Sequence, residues 1–300
     1  MAERSVKVRQ AQLDEQDDLI DHDEHCSSDP QTLAALGVAL GQQVRITREA
    51  VGSGIYTVTQ VRGTDPPGTV RMGLGGRSRL GRGEVFDATA SSVVVRSDLS
   101  DCEARKAGEF VERLTDDGIQ AELIVVAPHG GRIEPHTDDQ AAQVASHFLP
   151  DRVSTWLCRG YGDHSEAWHI TSGDLNPISF PLLGQVIGRE FRHAVSFHGF
   201  TPPDVLVGGA APKALRKEIA AAIRVATAGT DLVVQVAEPG DPIGGGDAAN
   251  IVNRLTGDGD NGVQIEQTLR ARREHGTAIA KAVAEVYLRV LTEAGAAPPK

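Results

Sequence analysis

The sequence contains few aromatic residues, few cysteines and no long hydrophobic segment. Aromatic residues make up 4% of the 300 positions, and the three cysteines include no C-x-x-C pair. A disulfide framework is therefore excluded. No apolar run approaches the roughly 20 residues that a membrane helix needs. We expect a globular protein without a membrane segment, whose core is built mainly from aliphatic side chains.

Positive charge is also scarce. The chain has 41 acidic against 30 basic residues, which gives a net charge of -11. A chain that is not broadly basic is not expected to bind nucleic acid. Residues 1–29 contain no apolar segment like that of a secretory signal, so we expect a cytoplasmic protein that would meet an extracellular substrate only after lysis.

The charge pattern divides the N-terminal third of the chain. Residues 14–29 contain eight acids and no Lys or Arg. We predict that residues 1–29 form an acidic disordered tail, because such a segment cannot offset its ordering entropy by burial. Residues 30–97 show short alternating runs separated by turns that contain Gly and Pro. This pattern predicts a small β-rich domain, a barrel or a sandwich, whose role the sequence does not indicate.

Helical and strand patterns alternate from residue 98 to residue 300. Ala107, Phe110, Val111 and Leu114 recur at helical spacing and predict an amphipathic helix. The apolar run AELIVVA at 121–127 predicts a buried strand, and residues 277–291 predict a long terminal helix. Alternating helices and strands predict an α/β domain with a sheet covered on both faces, which is a three-layer α/β/α architecture.

Chemistry-bearing side chains follow three of the predicted strands. His129 and Glu134 come after the first, His198 ends the second, and Glu266 ends the third. Active residues of open α/β sheets gather at strand ends, and a site of two histidines and one carboxylate is typical of catalytic zinc. A tight turn through two glycines would bring His129 and Glu134 together. The alternatives are an ordinary loop histidine beside a surface glutamate, and a solvent-facing strand around Glu266.

Other candidate residues are less well placed. His169 lies in a loop rich in Gly and Asp, and it competes with His198 for the role of third ligand. We favour His198, because a strand end holds a side chain better than a loop does, and His169 then becomes a contact to the substrate or the transition state. Cys158 is predicted to be a small buried hydrophobic residue rather than a nucleophile. The glycine-rich loop at 239–247 lacks the Lys-Ser/Thr ending of a phosphate-binding loop.

Four motifs in one order point to a known family. A-P-H-G-G-R-I-E, H-I-T-S, S-F-H-G and G-V-Q-I-E follow one another within about residues 100–292. In this respect the chain resembles the phage-type poly-γ-glutamate hydrolase family. The resemblance implies a zinc-carboxypeptidase-like α/β/α fold and cleavage of γ-glutamyl amide bonds in a bacterial capsule polymer. It also implies one Zn²⁺ per chain, held by His129, Glu134 and His198, with Glu266 as the catalytic glutamate.

The expected site assigns roles to further residues. Glu266 would act as the general base for a metal-activated water, and Arg132 or His169 would stabilise the oxyanion. The residues expected to bind substrate are Arg270, Ser172 and Gln264. The spacing H-x4-E differs from the H-x-x-E of ordinary zinc carboxypeptidases, which favours the hydrolase family over exopeptidases.

Two alternative functions remain open. One is a zinc amidase or deacylase that uses the same ligands on a small acidic acyl-amino acid. The other is a non-catalytic binding protein in which residues 30–97 recognise a partner. The expected partners are therefore a γ-glutamyl polymer or a small acidic amide, with no nucleic acid and no membrane.

Overall fold

The structure is a computed structural model that describes residues 2–12, 18–81, 83–149, 152–201 and 203–295. The chain divides into two compact units. The first comprises Met1–Val111 and Gly160–Pro181, and the second comprises Glu112–Arg159 and Leu182–Lys300. Within the described residues, every helix is too short or too polar to span a membrane.

The first unit is built on a closed six-stranded barrel. In chain order its elements are β1 (Glu3–Gln10), α1 (Asp18–Asp21), β2 (His25–Ser28), α2 (Pro30–Leu36), β3 (Gln43–Arg48), β4 (Gly52–Val61), β5 (Thr69–Met72), α3 (Leu74–Ser78), β6 (Phe86–Ser91) and α4 (Asp101–Ala107). Around the barrel the strands follow the order β1-β5-β2-β4-β3-β6. The predicted β-rich domain is therefore confirmed, in the form of a barrel.

The apolar residues at every second position of the strands form the barrel core. In the antiparallel pair β3–β4, Val44 lies opposite Tyr56 and Ile46 lies opposite Gly54. Val44, Ile46, Tyr56 and Val58 are buried in one apolar cluster. β-Branched and aromatic side chains at every second position fit a pleated strand whose one face is covered.

The prediction of a disordered tail at 1–29 was wrong. β1 pairs with β5 and with β6, and Val6 and Val8 join the barrel core. The alternation S-V-K-V-R was the local signal of this strand, and its pairing partners lie more than 50 residues away. Cys26 is buried, and Asp29 accepts hydrogen bonds from the backbone N–H groups at the start of α2. Part of the acidic run, Asp14, Glu15 and Asp17, lies outside the described residues.

The second unit is an α/β domain with a seven-stranded sheet. In chain order its elements are β7 (Phe110–Thr115), β8 (Leu123–Gly131), α5 (Thr137–Gln143, continued by a π-turn, Val144–Phe148), β9 (Ser154–Gly160), α6 (Pro181–Gly184), β10 (His193–Gly199), β11 (Val205–Gly208), α7 (Lys213–Ala226), β12 (Val234–Val236), α8 (Ile251–Arg254), β13 (Gly262–Gln267) and α9 (Leu269–Gly295). Across the sheet the strands follow the order β12-β11-β13-β10-β8-β9-β7.

Helices cover both faces of this sheet. On one face, α5, α7 and α9 pack against one another and against side chains such as Phe197 and Ile265. On the other face, α8 contacts β10 and β13, and a Cβ added at Gly262 would lie 2.6 Å from the carbonyl oxygen of Val252. The three-layer α/β/α prediction is thereby confirmed. The strands β8, β10 and β13 run parallel, whereas β11 runs antiparallel to β13.

Two local predictions for residues 98–300 need correction. The helix expected around Phe110 ends at Ala107, because Gly108 adopts a φ of 69° and caps it, and the chain then continues as β7. Residues 160–181 were expected in the α/β domain but belong to the first unit. Gln43 holds them there, since its Nε2 donates to the Asp174 carbonyl at 2.8 Å and its backbone N–H donates to Ser179 Oγ at 2.8 Å.

Candidate metal centre

Three parallel strands bring the predicted site residues to one edge of the sheet. His129 is the third residue from the end of β8. His198 and Glu266 are the penultimate residues of β10 and β13. Because parallel strands end at the same edge, their carboxyl-terminal side chains converge. In the register between β10 and β13, His198 lies directly opposite Glu266.

A tight turn folds Glu134 back onto His129. The Glu134 backbone N–H donates to the His129 carbonyl oxygen at 2.8 Å. Gly131 has a φ of 74°, in the region that favours glycine, and its N–H donates to Asp138 Oδ1 at 3.1 Å. A Cβ at Gly130 would lie 2.5 Å from Asp138 Cβ, so only glycine permits this close approach. The predicted positive φ is found at Gly131 only, whereas Gly130 is required by the close approach of Asp138.

The distances between the donor atoms of His129, Glu134 and His198 fit a tetrahedral metal ion. His129 Nδ1 lies 3.0 Å from Glu134 Oε1 and 3.2 Å from His198 Nδ1, and His198 Nδ1 lies 3.5 Å from Glu134 Oε2. Zinc-to-ligand bonds of about 2.0–2.1 Å at tetrahedral angles separate the ligand atoms by about 3.3 Å. Within the described residues these three side chains form a group that could hold a metal ion.

The two histidines favour the anionic form of Glu134, although its burial opposes that form. His129 and His198 are each 3% exposed. Burial raises the pKa of the Glu134 carboxyl, but the charges of His129 and His198 and their hydrogen bonds to it outweigh burial and hold this pKa well below its ordinary value. The Gly199 N–H donates to Glu134 Oε2 at 2.8 Å and fixes the carboxylate. An ionised carboxylate between two imidazole nitrogens is a suitable donor set for zinc.

A network of amide side chains holds Glu266. Gln264 lies two residues earlier on the same face of β13, and its Nε2 donates to Glu266 Oε1 at 2.9 Å and to the Ile243 carbonyl at 3.2 Å. The Gln264 Oε1 accepts from Asn250 Nδ2 at 2.7 Å. A Cβ at Gly245 would lie 2.7 Å from the Gln264 side chain, so the glycine-rich loop packs directly on this amide. The Gln264 amide nitrogen therefore has no N–H left for a substrate.

The other predicted site residues have the following environments. Arg132 is exposed and lies in the turn between His129 and Glu134. Arg270 is engaged by two acids, Asp231 and Asp204, at 3.0 and 3.7 Å.

Two predicted site residues lie in the first unit. His169 Nδ1 is 2.8 Å from Glu24 Oε2, and Ser172 is buried. Cys158 is buried, as predicted, and burial raises the pKa of its thiol.

The sequence reasoning missed Arg272. This residue is 7% exposed, and its charge interacts with Glu134 and Glu266. Helical periodicity contained the signal, because Arg272 lies one heptad before Ile279 and so on the face of α9 that packs on the sheet. Arg270, which the sequence favoured, lies off that face.

One protein family matches most of the second unit and parts of the first. The sequence model of the family described as poly-gamma-glutamate hydrolase matches residues 98–284, which is more than half of the chain. The chain belongs to the poly-γ-glutamate hydrolase family. The resemblance inferred from the four motifs is thereby confirmed, and the family supports hydrolysis of γ-glutamyl polymers.

Three solved structures with some similarity to the chain are the following. A bacteriophage poly-γ-glutamate hydrolase is 23% identical, covers 61% of this chain and 90% of its own, and has a TM-score of 0.48. The zinc-free form of a protein called YndL is 23% identical, with 62% and 90% covered and a TM-score of 0.45. A rationally designed protein, apDPBB_sym_79, is 25% identical, with 30% and 97% covered and a TM-score of 0.26. No curated protein matches the chain at a significant level.

Proposed function

We propose that this member of the poly-γ-glutamate hydrolase family is a zinc-dependent hydrolase that cleaves γ-glutamyl amide bonds. One observation carries the proposal: His129 Nδ1 and His198 Nδ1 lie 3.2 Å apart, and each faces one carboxylate oxygen of Glu134, at 3.0 and 3.5 Å, close to the spacing of ligands around one tetrahedral ion. Three protein ligands leave a fourth position for water, which distinguishes a catalytic zinc site from a structural one.

The residues around this group would have different roles in amide hydrolysis. Zinc held by these ligands would lower the pKa of a water from about 15.7 to about 7 and polarise the amide carbonyl. Glu266, opposite His198 in the sheet, accepts the proton of the attacking water and returns it to the leaving amide nitrogen. Gln264 orients the Glu266 carboxylate by donating to its Oε1, and so it acts as a positioning residue.

Arg132 remains our candidate for stabilising the developing oxyanion. It lies in the same turn as two of the proposed ligands, and a positioned donor of this kind contributes on the order of 3 kcal/mol to transition-state stabilisation. The roles first expected for His169, Ser172 and Arg270 stay predictions.

The test combines metal content with hydrolysis. We expect about one zinc per chain by plasma mass spectrometry, lost in His129→Ala, because a two-ligand site binds the ion far more weakly. Glu266→Gln should keep the zinc and lose at least about 100-fold of its activity on poly-γ-glutamate, the lower range for loss of a general base. The length of the products distinguishes a polymer hydrolase from an amidase that releases one small acid.

Matched controls use exposed residues of the same types. His164→Ala and Glu122→Gln change side chains that are 54% and 55% exposed, and neither should affect zinc content or hydrolysis. If Glu266→Gln hydrolyses the polymer at the wild-type rate with zinc bound, Glu266 is not the base. If the wild-type protein binds no zinc after incubation with the ion, the proposed metal mechanism is wrong.

A further inference from the structure

Arg272 is a buried cation beside the candidate metal centre. It lies in the first turn of α9, and its Nη1 donates to the Pro135 carbonyl at 2.9 Å. A Cβ added at Gly199 would lie 2.5 Å from Arg272 Cζ, so the guanidinium occupies the room that the glycine leaves. The same Gly199 donates its N–H to Glu134, which places Arg272 next to a proposed ligand.

The guanidinium has acids near it but none in direct contact. Burial lowers the pKa of Arg272, whereas the negative charges of Glu134 and Glu266 raise it, so both carboxylates lie in its neighbourhood. In the part of the chain that the structure describes, no carboxylate is within ion-pair distance of Arg272, and its Nη2 donates no hydrogen bond to protein. Nη2 is not one of the buried polar atoms that lack a partner, so it is accessible to an incoming anion.

Arg272 also lines a cavity of about 420 Å³ between α5 and α9. The charged residues of the cavity wall besides Arg272 are the cations Arg273 and Lys281 and the acids Asp139 and Glu274. Arg272 is a residue of this wall whose charge interacts with Glu134 and Glu266, so it lies between the metal group and the cavity. A planar guanidinium is well suited to bind a carboxylate through two parallel hydrogen bonds.

The chemistry of the γ-linkage identifies which carboxylate this is. In a γ-linked glutamate chain, the carbon bonded to each amide nitrogen carries a free carboxylate. In an α-linked peptide, the same carbon carries the next peptide carbonyl, except at the C-terminus. A guanidinium close to the reacting amide can therefore distinguish the two linkages by this one group.

We propose that Arg272 binds the carboxylate on the carbon attached to the scissile amide nitrogen and thereby selects γ-linked glutamate. This inference rests on the proposed function, whose metal ligands and base it leaves unchanged. It makes Arg272 a residue that determines specificity.

The test compares two substrates that differ in one group. One is a γ-linked glutamate oligomer, and the other has a carboxamide in place of the carboxylate on the leaving residue. The wild type should prefer the carboxylate by about 100-fold in kcat/KM, the size expected for loss of charge-assisted hydrogen bonds. In Arg272→Gln this preference should fall to within about threefold, with Arg272→Lys between the two.

Binding provides a readout independent of turnover. Calorimetric titration of both oligomers into zinc-loaded Glu266→Gln protein should show the same preference in affinity. The double variant Glu266→Gln/Arg272→Gln should show no preference. Gly199→Ala displaces the guanidinium without removing its charge, and it tests the proposal if Arg272→Gln does not fold. Arg289→Gln, on the same helix and paired with Glu218, is the control and should change nothing.

The outcomes separate this proposal from the proposed function. If Arg272→Gln folds, keeps its zinc and retains the wild-type preference for the carboxylate oligomer, Arg272 does not bind that carboxylate. If the wild type hydrolyses neither oligomer, the proposed function fails, and calorimetric titration then tests the role of Arg272 alone. A preference for the carboxylate oligomer that is lost in Arg272→Gln supports recognition of the carboxylate by Arg272. A preference that persists in Arg272→Gln overturns this role.

Discussion

Glu24, in the acidic segment, is a largely buried and ionised carboxylate. Burial raises the pKa of its carboxyl, but a hydrogen bond and the charge of His169, a hydrogen bond from Thr171 and the charge of Arg79 outweigh burial and lower this pKa to about 2. The carboxylate therefore ties two separate parts of the first unit together. An acid in an acidic run is not necessarily solvated, and its partners lie too far along the chain to be read locally.

Glu24→Gln should remove stability that depends on pH. An acid with a lowered pKa in the folded state contributes its full stability above the unfolded pKa of 4.5 and loses it as the pH falls toward about 2. The shift corresponds to about 3 kcal/mol of unfolding free energy. Chemical denaturation should therefore show the variant less stable than wild type near neutral pH, with a smaller difference at about pH 3.

Glu166→Gln, in the same unit and 65% exposed, is the matched control and should follow the wild type. A constant difference between Glu24→Gln and the wild type at both pH values would contradict the ionic role of Glu24.

Element prediction succeeded where the signal is local and continuous. The run AELIVVA predicted β8, and the apolar spacing of Ile279 and Val283 predicted α9. It failed where tertiary context decides: Phe110 and Val111 sit at helical spacing, yet Gly108 ends the helix and these residues pair in the sheet. The candidate metal ligands were predictable because two lie near strand ends and Glu134 lies in the turn that follows β8. Gln264, in contrast, became a positioning residue only through contacts from distant loops.

Gly209, directly after β11, has a backbone conformation and a close contact with β13 that require glycine. It has a φ of +98°, and a Cβ there would lie 2.1 Å from the Gly262 carbonyl oxygen at the start of β13. Gly209→Ala should therefore lower the unfolding free energy by more than about 2 kcal/mol, measured by chemical denaturation.

Gly229→Ala separates backbone strain from steric overlap. Gly229 has a φ of +85° with nothing within 4 Å of an added Cβ, so its substitution should cost only about 1 kcal/mol. Equal losses in the two variants would mean that the close approach of β11 and β13 contributes nothing.

The whole molecule cannot be divided at the boundary that its composition suggests. The first unit contains both the barrel strands and residues 160–181, which return to it after the chain has formed β8 and β9. Trp168 and Phe180 are buried in that unit, and the Arg45 guanidinium lies 5.0 Å from the ring centroid of Trp168. A cut at residue 97 removes the barrel but leaves these apolar side chains behind.

We therefore expect a chain reduced to residues 98–300 to expose Trp168 and Phe180 and to aggregate, even if every proposed metal ligand is present. Size-exclusion chromatography and binding of a hydrophobic dye would show this, with the full-length chain as reference. Loss of hydrolysis in such a fragment would then report misfolding rather than a catalytic role for the barrel. A monomeric, zinc-binding fragment with full activity would contradict the expectation, because it would mean that residues 160–181 fold without the strands that now bury them.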